Sequence, residues 1–355
     1  MKLKNILFSL IMLVSMLFIG TANAETTAPS SYVIDGSKLH TIYCSSYLKG
    51  CQYINIQFKK TTDGKIVYCI ERSKAPIGSG TTEKYTLQKE LSSKVAYVME
   101  NGYPNKSIFG NADKDYYTTG LAIWYVINPN DSTFEYFNLA NGTYRGNSSD
   151  IVVEMAKLVN GANSYSYTSP FIKINNSNSN LSLSSDGKYY VSSSMGVKTA
   201  GTVGNYTVSL SNAPEGTIVT DTKGNAKTTF ATNESFLVKV PVSNVKKISN
   251  EFKVNVSAKG TINKAYAYTS TRSNVQNTGA LYPENSNVND STTVKLNVVT
   301  VVEISKVDVT TGEELAGAHL VVKDASGKVV DEWTSTNEVH VIKNLTPVSY
   351  THLRA

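Results

Sequence analysis

"KIVYCIE", residues 65–71, decides how this chain reads. Apolar and polar residues alternate through it and through "YINIQFKK" at 53–60, and residues 38–72 read as β-strands. In its middle sits Cys69, one of only three cysteines among 355 residues. The other two, Cys44 and Cys51, flank "SSYLKG" and are near enough in sequence to be bridged across a tight turn. Cys69 is then odd in the count. On composition alone such a residue is a small buried apolar group, but an odd cysteine in an exported chain also raises the question of a reactive thiol.

Export is read from the first 24 residues, "MKLKNILFSLIMLVSMLFIGTANA". Lys2 and Lys4 precede an apolar run, and Ala22-Asn23-Ala24 offers small residues for cleavage, so 1–24 is expected to be a signal peptide. No later stretch has the length and apolarity of a membrane span. Charged residues make up 17% and the formal net charge is +6, too weak a basic balance to argue for nucleic acid as a partner. The chain is rich in Ser, Thr, Asn and Tyr with only 9 Pro, which suits water-exposed β-sheet with polar turns.

Three helical patterns follow the first strands. "TLQKELSSKVAYVMENGYP" (86–104) places Leu87, Leu91, Val95, Val98 and Met99 at helical spacing before Gly102 and Pro104. "DYYTTGLAIWYVINP" (115–129) is a second helix, closed before Pro129. "SSDIVVEMAKLVNGAN" (148–163) is a third, with Ser or Asp as cap. From about residue 168 the pattern changes to strands separated by Asn, Gly and Ser turns, as in "NYTVSLSNA" and "FLVKVPVS", which reads as a sandwich. The expected class is an α+β domain with a β-rich second region, then an all-β sandwich.

Two stretches carry a resemblance. "YCIE" at 68–71, with "TTGLAIW" at 118–124, resembles the thioester domain of Gram-positive surface adhesins, which pairs an aromatic-Cys-apolar-polar motif with a Thr-Gln-x-Ala-Ile/Val-Trp motif. Thr119, Ala122, Ile123 and Trp124 match, whereas the glutamine position holds Gly120. The resemblance implies that the Cys69 thiolate attacks a glutamine side-chain amide, ammonia leaves, and an internal thioester forms. A lysine amine on a host surface or matrix protein would then capture the acyl group. The chemistry requires a deprotonated thiol, a near-attack geometry and exclusion of water. Tyr68 and Trp124 are the expected aromatic wall.

Beyond the leader the chain has four glutamines, Gln52, Gln57, Gln88 and Gln276. Gln52 and Gln57 precede Cys69, and Gln88 is expected to open the first helix. Gln276, in "AYAYTSTRSNVQNTGALYPE" (265–284), follows the kind of Tyr-rich strand that precedes the family's glutamine and is the expected partner. That requires residues 264–282 to return beside Cys69 from across a β-rich insertion.

The segment 301–345 resembles the prealbumin-like CnaB or SpaA domains of Gram-positive adhesins and pilins, through Lys306 in "ISKVD" and Gly312, Leu315, Gly317 and Ala318 in "TGEELAGAHLVV". The resemblance implies a Lys306 isopeptide bond to an Asn or Asp on a last strand. "VSYTHLRA" (348–355) reads as a doubtful, non-native tail, so this domain is expected to be truncated, with Lys306 turned inward and unbonded.

The expected organisation is therefore a leader (1–24), a thioester domain (25–167), a β-rich region carrying Gln276 (168–299) and an incomplete prealbumin-like domain (300–355). The implied function is a non-enzymatic surface adhesin without cofactor. It would be attached to the cell wall or to pilus subunits through a sorting signal this sequence does not contain. The alternative is a non-covalent surface or pilus-tip module with a decayed thioester site. A Cys-His protease is disfavoured, because His40 lies before Cys69 in a strand. The four histidines, His40, His319, His340 and His352, show no metal spacing with the cysteines.

Overall fold

The structure, a computed structural model, describes residues 25–176, 180–247, 251–295, 300–324, 326–345 and 352–354. The expected signal peptide lies outside these residues. The described chain divides into two compact units. The first takes residues up to Phe171, with Thr199–Gly204 and Ala258–Val288; the second takes Ile172–Lys198, Asn205–Ser257 and Asn289 onward.

The first unit is built on an antiparallel sheet whose principal strands we number in chain order. They are β1 (Ser31–Asp35), β2 (His40–Ile42), β3 (Ile56–Lys60), β4 (Ile66–Cys69), β5 (Thr82–Glu90), β6 (Glu251–Ser270) and β7 (Thr278–Lys295), the last two belonging to this unit through residues 258–288. Their spatial order is β2-β3-β4-β7-β6-β5-β1. The late segment thus returns between early strands, as expected of 264–282: β7 pairs with β4 and β6 with β5. Residues placed far apart in the sequence become one sheet.

One face of this sheet is covered by three helices, α1 (Ser93–Asn101), α2 (Ala112–Ile127) and α3 (Asp150–Asn163). The Asn111 side chain accepts from the Lys114 N–H and caps α2, and Ser149 does the same for α3 through Val152. Val95, Met99, Leu121, Ile123, Val152 and Met155 close a common core with Ile56, Phe58 and Tyr68 of the sheet. The opposite face has its own aromatic cluster of Tyr32, Tyr85, Tyr266 and Tyr268 with Val67 and Ile77.

One expected helix is shorter than its pattern. Thr82–Glu90 is strand β5, and only Ser93–Asn101 is helical, so Leu87 and Gln88 lie on a strand. The apolar spacing of Leu87 and Leu91 onto Val95 mimicked a helical stripe across a strand–helix junction. Pairing of β5 with both β1 and β6 supplies two sets of backbone hydrogen bonds, which outweighs that local pattern.

In the second unit Leu181–Leu183, Tyr189–Ser192, Phe236–Pro241 and Ile218–Asp221 form an antiparallel sheet in that order. Farther on, Thr300–Ile304 pairs with His340–Leu345, and His319–Lys323 lies between Val329–Thr334 and His352–Arg354. Two details depart from expectation. Residues 352–354, read as tail, form a short strand against His319–Lys323. Lys306 lies past the end of its strand at Ile304 and is half-buried rather than turned fully inward; its backbone N–H donates to Glu314 and its carbonyl accepts from Leu315. The Glu314 loop captures the backbone here, so the strand alternation that would turn the side chain inward is broken.

Candidate thioester site

Cys69 ends β4 and is 5% exposed. Its backbone is fixed from two sides. The Trp124 indole N–H donates to the Cys69 carbonyl at 2.8 Å, and across the sheet Cys69 is the register partner of Thr278. The next residue continues the match, with the Ile70 N–H donating to the Asn277 carbonyl at 3.0 Å. The Cys69 thiol itself donates to the Glu71 carbonyl at 3.4 Å.

Gln276 lies two residues before Thr278, at the mouth of β7. Its N–H donates to the Ala75 carbonyl at 2.9 Å and its carbonyl accepts from the Tyr85 hydroxyl at 3.2 Å. Val275 bridges Ala75 directly. The turn before it is held by Glu83, a carboxylate only 3% exposed, which accepts from Ser270 Oγ, from Thr271 Oγ1 at 3.0 Å and from Arg272 Nε. Burial alone would raise the Glu83 pKa; its three donors together lower it below the usual carboxylate value. The segment carrying Gln276 is therefore pinned at both ends, as near-attack chemistry demands. Of the other glutamines, Gln57 sits on β3 with its amide N–H donating to the Ile77 carbonyl at 2.9 Å, and Gln88 lies on β5.

The expected aromatic wall divides into two roles. Trp124, 7% exposed, meets Cys69 and is itself covered by the Arg72 guanidinium, 5.1 Å from the ring centre. Tyr68 alternates to the helix face instead. Its ring stacks on Tyr116 at 4.4 Å and its hydroxyl donates to the Tyr103 carbonyl. It backs the strand rather than covering the thiol. Thr119, fully buried, accepts from the Tyr103 N–H at 3.0 Å and donates to the Asp115 carbonyl, tying the same loop to α2. Ala122 is fully buried in α2. At Gly120 a Cβ would lie 3.2 Å from Ile56 Cδ1 and 3.7 Å from Tyr68. The space that a glutamine would take in the family's motif is occupied by Ile56 and Tyr68.

Cys44 and Cys51 are joined by a disulfide of 2.07 Å and both are buried. Cys69 remains a free, buried thiol. Burial pushes its pKa up, and the nearby Lys59 ammonium offsets this only in part. Sequence reading did not single out Lys59, Tyr85, Glu83 or Arg272. For Lys59 a signal existed: it alternates with Ile56 and Phe58, but in the sequence alone that face reads as solvent. Among the described residues no cluster of side chains could hold a metal ion.

Residues 66–164 match the family model for a thioester domain, and residues 300–353 match that for a prealbumin-like SpaA domain. The chain is similar to the Bacillus anthracis TIE protein at 24% identity and a TM-score of 0.60, over 91% of this chain and 57% of that one. It is also similar to the thioester domain of the Enterococcus faecium TIE86 protein at 19% identity and a TM-score of 0.51, over 77% of this chain and 99% of that one. No curated protein sequence matches significantly. The chain therefore carries a thioester domain and a prealbumin-like domain, and it spans little more than half of the first of these relatives.

Proposed function

We propose that this chain is an exported bacterial surface adhesin that fastens to a host-surface amine through a thioester between Cys69 and Gln276. The observation that carries the reading is the register that pairs Cys69 with Thr278, two residues from Gln276. By strand alternation residues 276 and 278 share a face with Cys69. The buried thiol, the indole at its carbonyl and the pinned turn before Gln276 support the same conclusion.

The reaction is a single intramolecular acyl transfer. The Cys69 Sγ–Cδ bond to Gln276 forms, the Cδ–N bond breaks, and ammonia leaves. An arriving amine reverses the logic: its nitrogen takes the acyl group and the Cys69 thiol is released. The protein reacts once, so it is not an enzyme in the turnover sense. A host surface or matrix lysine is the proposed partner, and cell wall or pilus subunits the proposed attachment on the bacterial side. Lys306 is kept as an isopeptide candidate, which peptide mapping would reveal as a branched peptide. Gly120, in place of the family's glutamine, favours the second reading of a non-covalent module.

Incubation with methylamine followed by peptide mapping separates the two. The covalent reading expects methylamine on Gln276 and a newly alkylatable Cys69, both lost in Cys69→Ala. An unmodified Gln276 in the wild type supports the non-covalent module.

A further inference from the structure

Lys59 is a lysine with 1% exposure, and the only hydrogen bond its ammonium makes among the described contacts is a 3.4 Å one to the Gln57 carbonyl. A cation so placed is costly unless it is well paired or gives up its proton. The register explains what it stands beside. Lys59 is opposite Val67 in the β3–β4 pair, and alternation puts Lys59, Val67 and Cys69 on one face.

We infer that Lys59 Nζ is the proton carrier for thioester closure: the neutral amine takes the Cys69 thiol proton, directly or through one water, and returns it to the departing amide nitrogen. The inference rests on the thioester reading above. The step balances. Thiol and amine become thiolate and ammonium; the thiolate attacks Gln276 Cδ; the Cδ–N bond breaks as the ammonium supplies the proton that completes ammonia; Lys59 ends neutral. No oxidant or metal is needed.

The electrostatics suit that cycle. Burial lowers the Lys59 pKa, so the neutral base is reached at lower pH than for lysine in water, and Cys69 is the charge that acts on it. Burial raises the Cys69 thiol, so it does not ionise unaided at neutral pH. The other titratable groups around the pair are Tyr116 of α2, whose hydroxyl accepts from the Lys59 backbone N–H, Tyr85 of β5, and Glu71 after β4. Burial holds both tyrosines protonated well above the ordinary range, and Glu71 is engaged by Lys74 at 3.0 Å. Lys59 is left as the base that can titrate beside the thiol.

The test uses the whole chain. Ammonia opens the thioester back to Cys69 and Gln276, and closure after its removal is followed by intact mass across pH. The expected result is wild-type closure about 10²-fold faster at pH 7 than in Lys59→Met, with the deficit shrinking as pH rises and hydroxide replaces the amine. Lys59→Arg, which keeps a cation but no base, should be equally slow and decides the matter if the Met variant does not fold. In the wild type the rate should level off at a lower pH than that at which lysine in water titrates. Closure of either variant at the wild-type rate, a deficit independent of pH, a wild-type rate still climbing tenfold per unit above pH 10, or a stable Lys59–Gln276 amide each overturns the role of Lys59. In the first three the thioester forms and the adhesin reading stands. If the wild type never loses ammonia, the adhesin reading itself fails.

Discussion

Burial disfavours the charged forms of both Lys59 and Cys69. For Lys59 the folded pKa is depressed, so the native state loses stability as pH falls from the ordinary lysine range toward that depressed value. Replacing Lys59 by Met should therefore stabilise the fold at pH 7 by about 1–4 kcal/mol. That gain should fade as pH rises toward the ordinary lysine range near 10.4, as read by urea midpoints at several pH values. A gain unchanged with pH would mean that packing, not charge, governs the site. Gly120 is the other informative residue. Restoring the family's glutamine with Gly120→Gln drives a side chain into Ile56 and Tyr68. It should cost about 1–3 kcal/mol by overpacking, measured by denaturant unfolding. Ile56→Ala should recover part of it in the same protein, because the two side chains compete for one space.

At the scale of elements, the disulfide closes a short turn whose Cα atoms are 5.7 Å apart, between residues seven apart in sequence. Cys44→Ser with Cys51→Ser should lower stability by about 2–3 kcal/mol through the freer unfolded chain. Methylamine labelling of Gln276 should persist, since the bridge lies away from β7. Elements of this kind were legible in the sequence to differing degrees. α3 was read at nearly its true bounds because cap and apolar periodicity agree, with Ser149 at its start, whereas α2 was read from Asp115, past its true start at Ala112, though correctly closed before Pro129. β5 was not, because Leu87 and Leu91 fit both periods and only the long-range partners at 31–35 and 266–270 decide between them. Cys69 was legible through its motif and the odd cysteine count. The geometry holding Gln276 was legible only as a Tyr-rich strand. Its anchors, Ala75, Tyr85 and Glu83, are ordinary residues until the strand returns. Lys59 was hidden because alternation says which face a residue takes, not what covers that face.

At the scale of the whole molecule, late strands threaded into an early sheet bring together the residues proposed to form the thioester. Cys69 and Gln276 belong to one compact unit only because Ala258–Val288 enters it. A chain cut after residue 171 would keep the motif cysteine and all three helices, yet leave β4 and β5 without their β7 and β6 neighbours. It should aggregate or bind added strand peptides, and co-expression with residues 258–288 should restore part of its solubility. A soluble, cooperatively melting 25–171 chain would show that the returning strands are not integral to the fold. The proposed Cys69–Gln276 thioester is best tested by the intact mass of the protein beginning at Glu25, measured beside its Cys69→Ala variant. The expected result is a wild-type mass one ammonia below that of its sequence, a variant mass equal to that of its own sequence, and a wild-type Cys69 that resists alkylation on unfolding until methylamine has opened the thioester. A wild-type mass equal to the sequence mass, with Cys69 fully alkylated on unfolding, would contradict it.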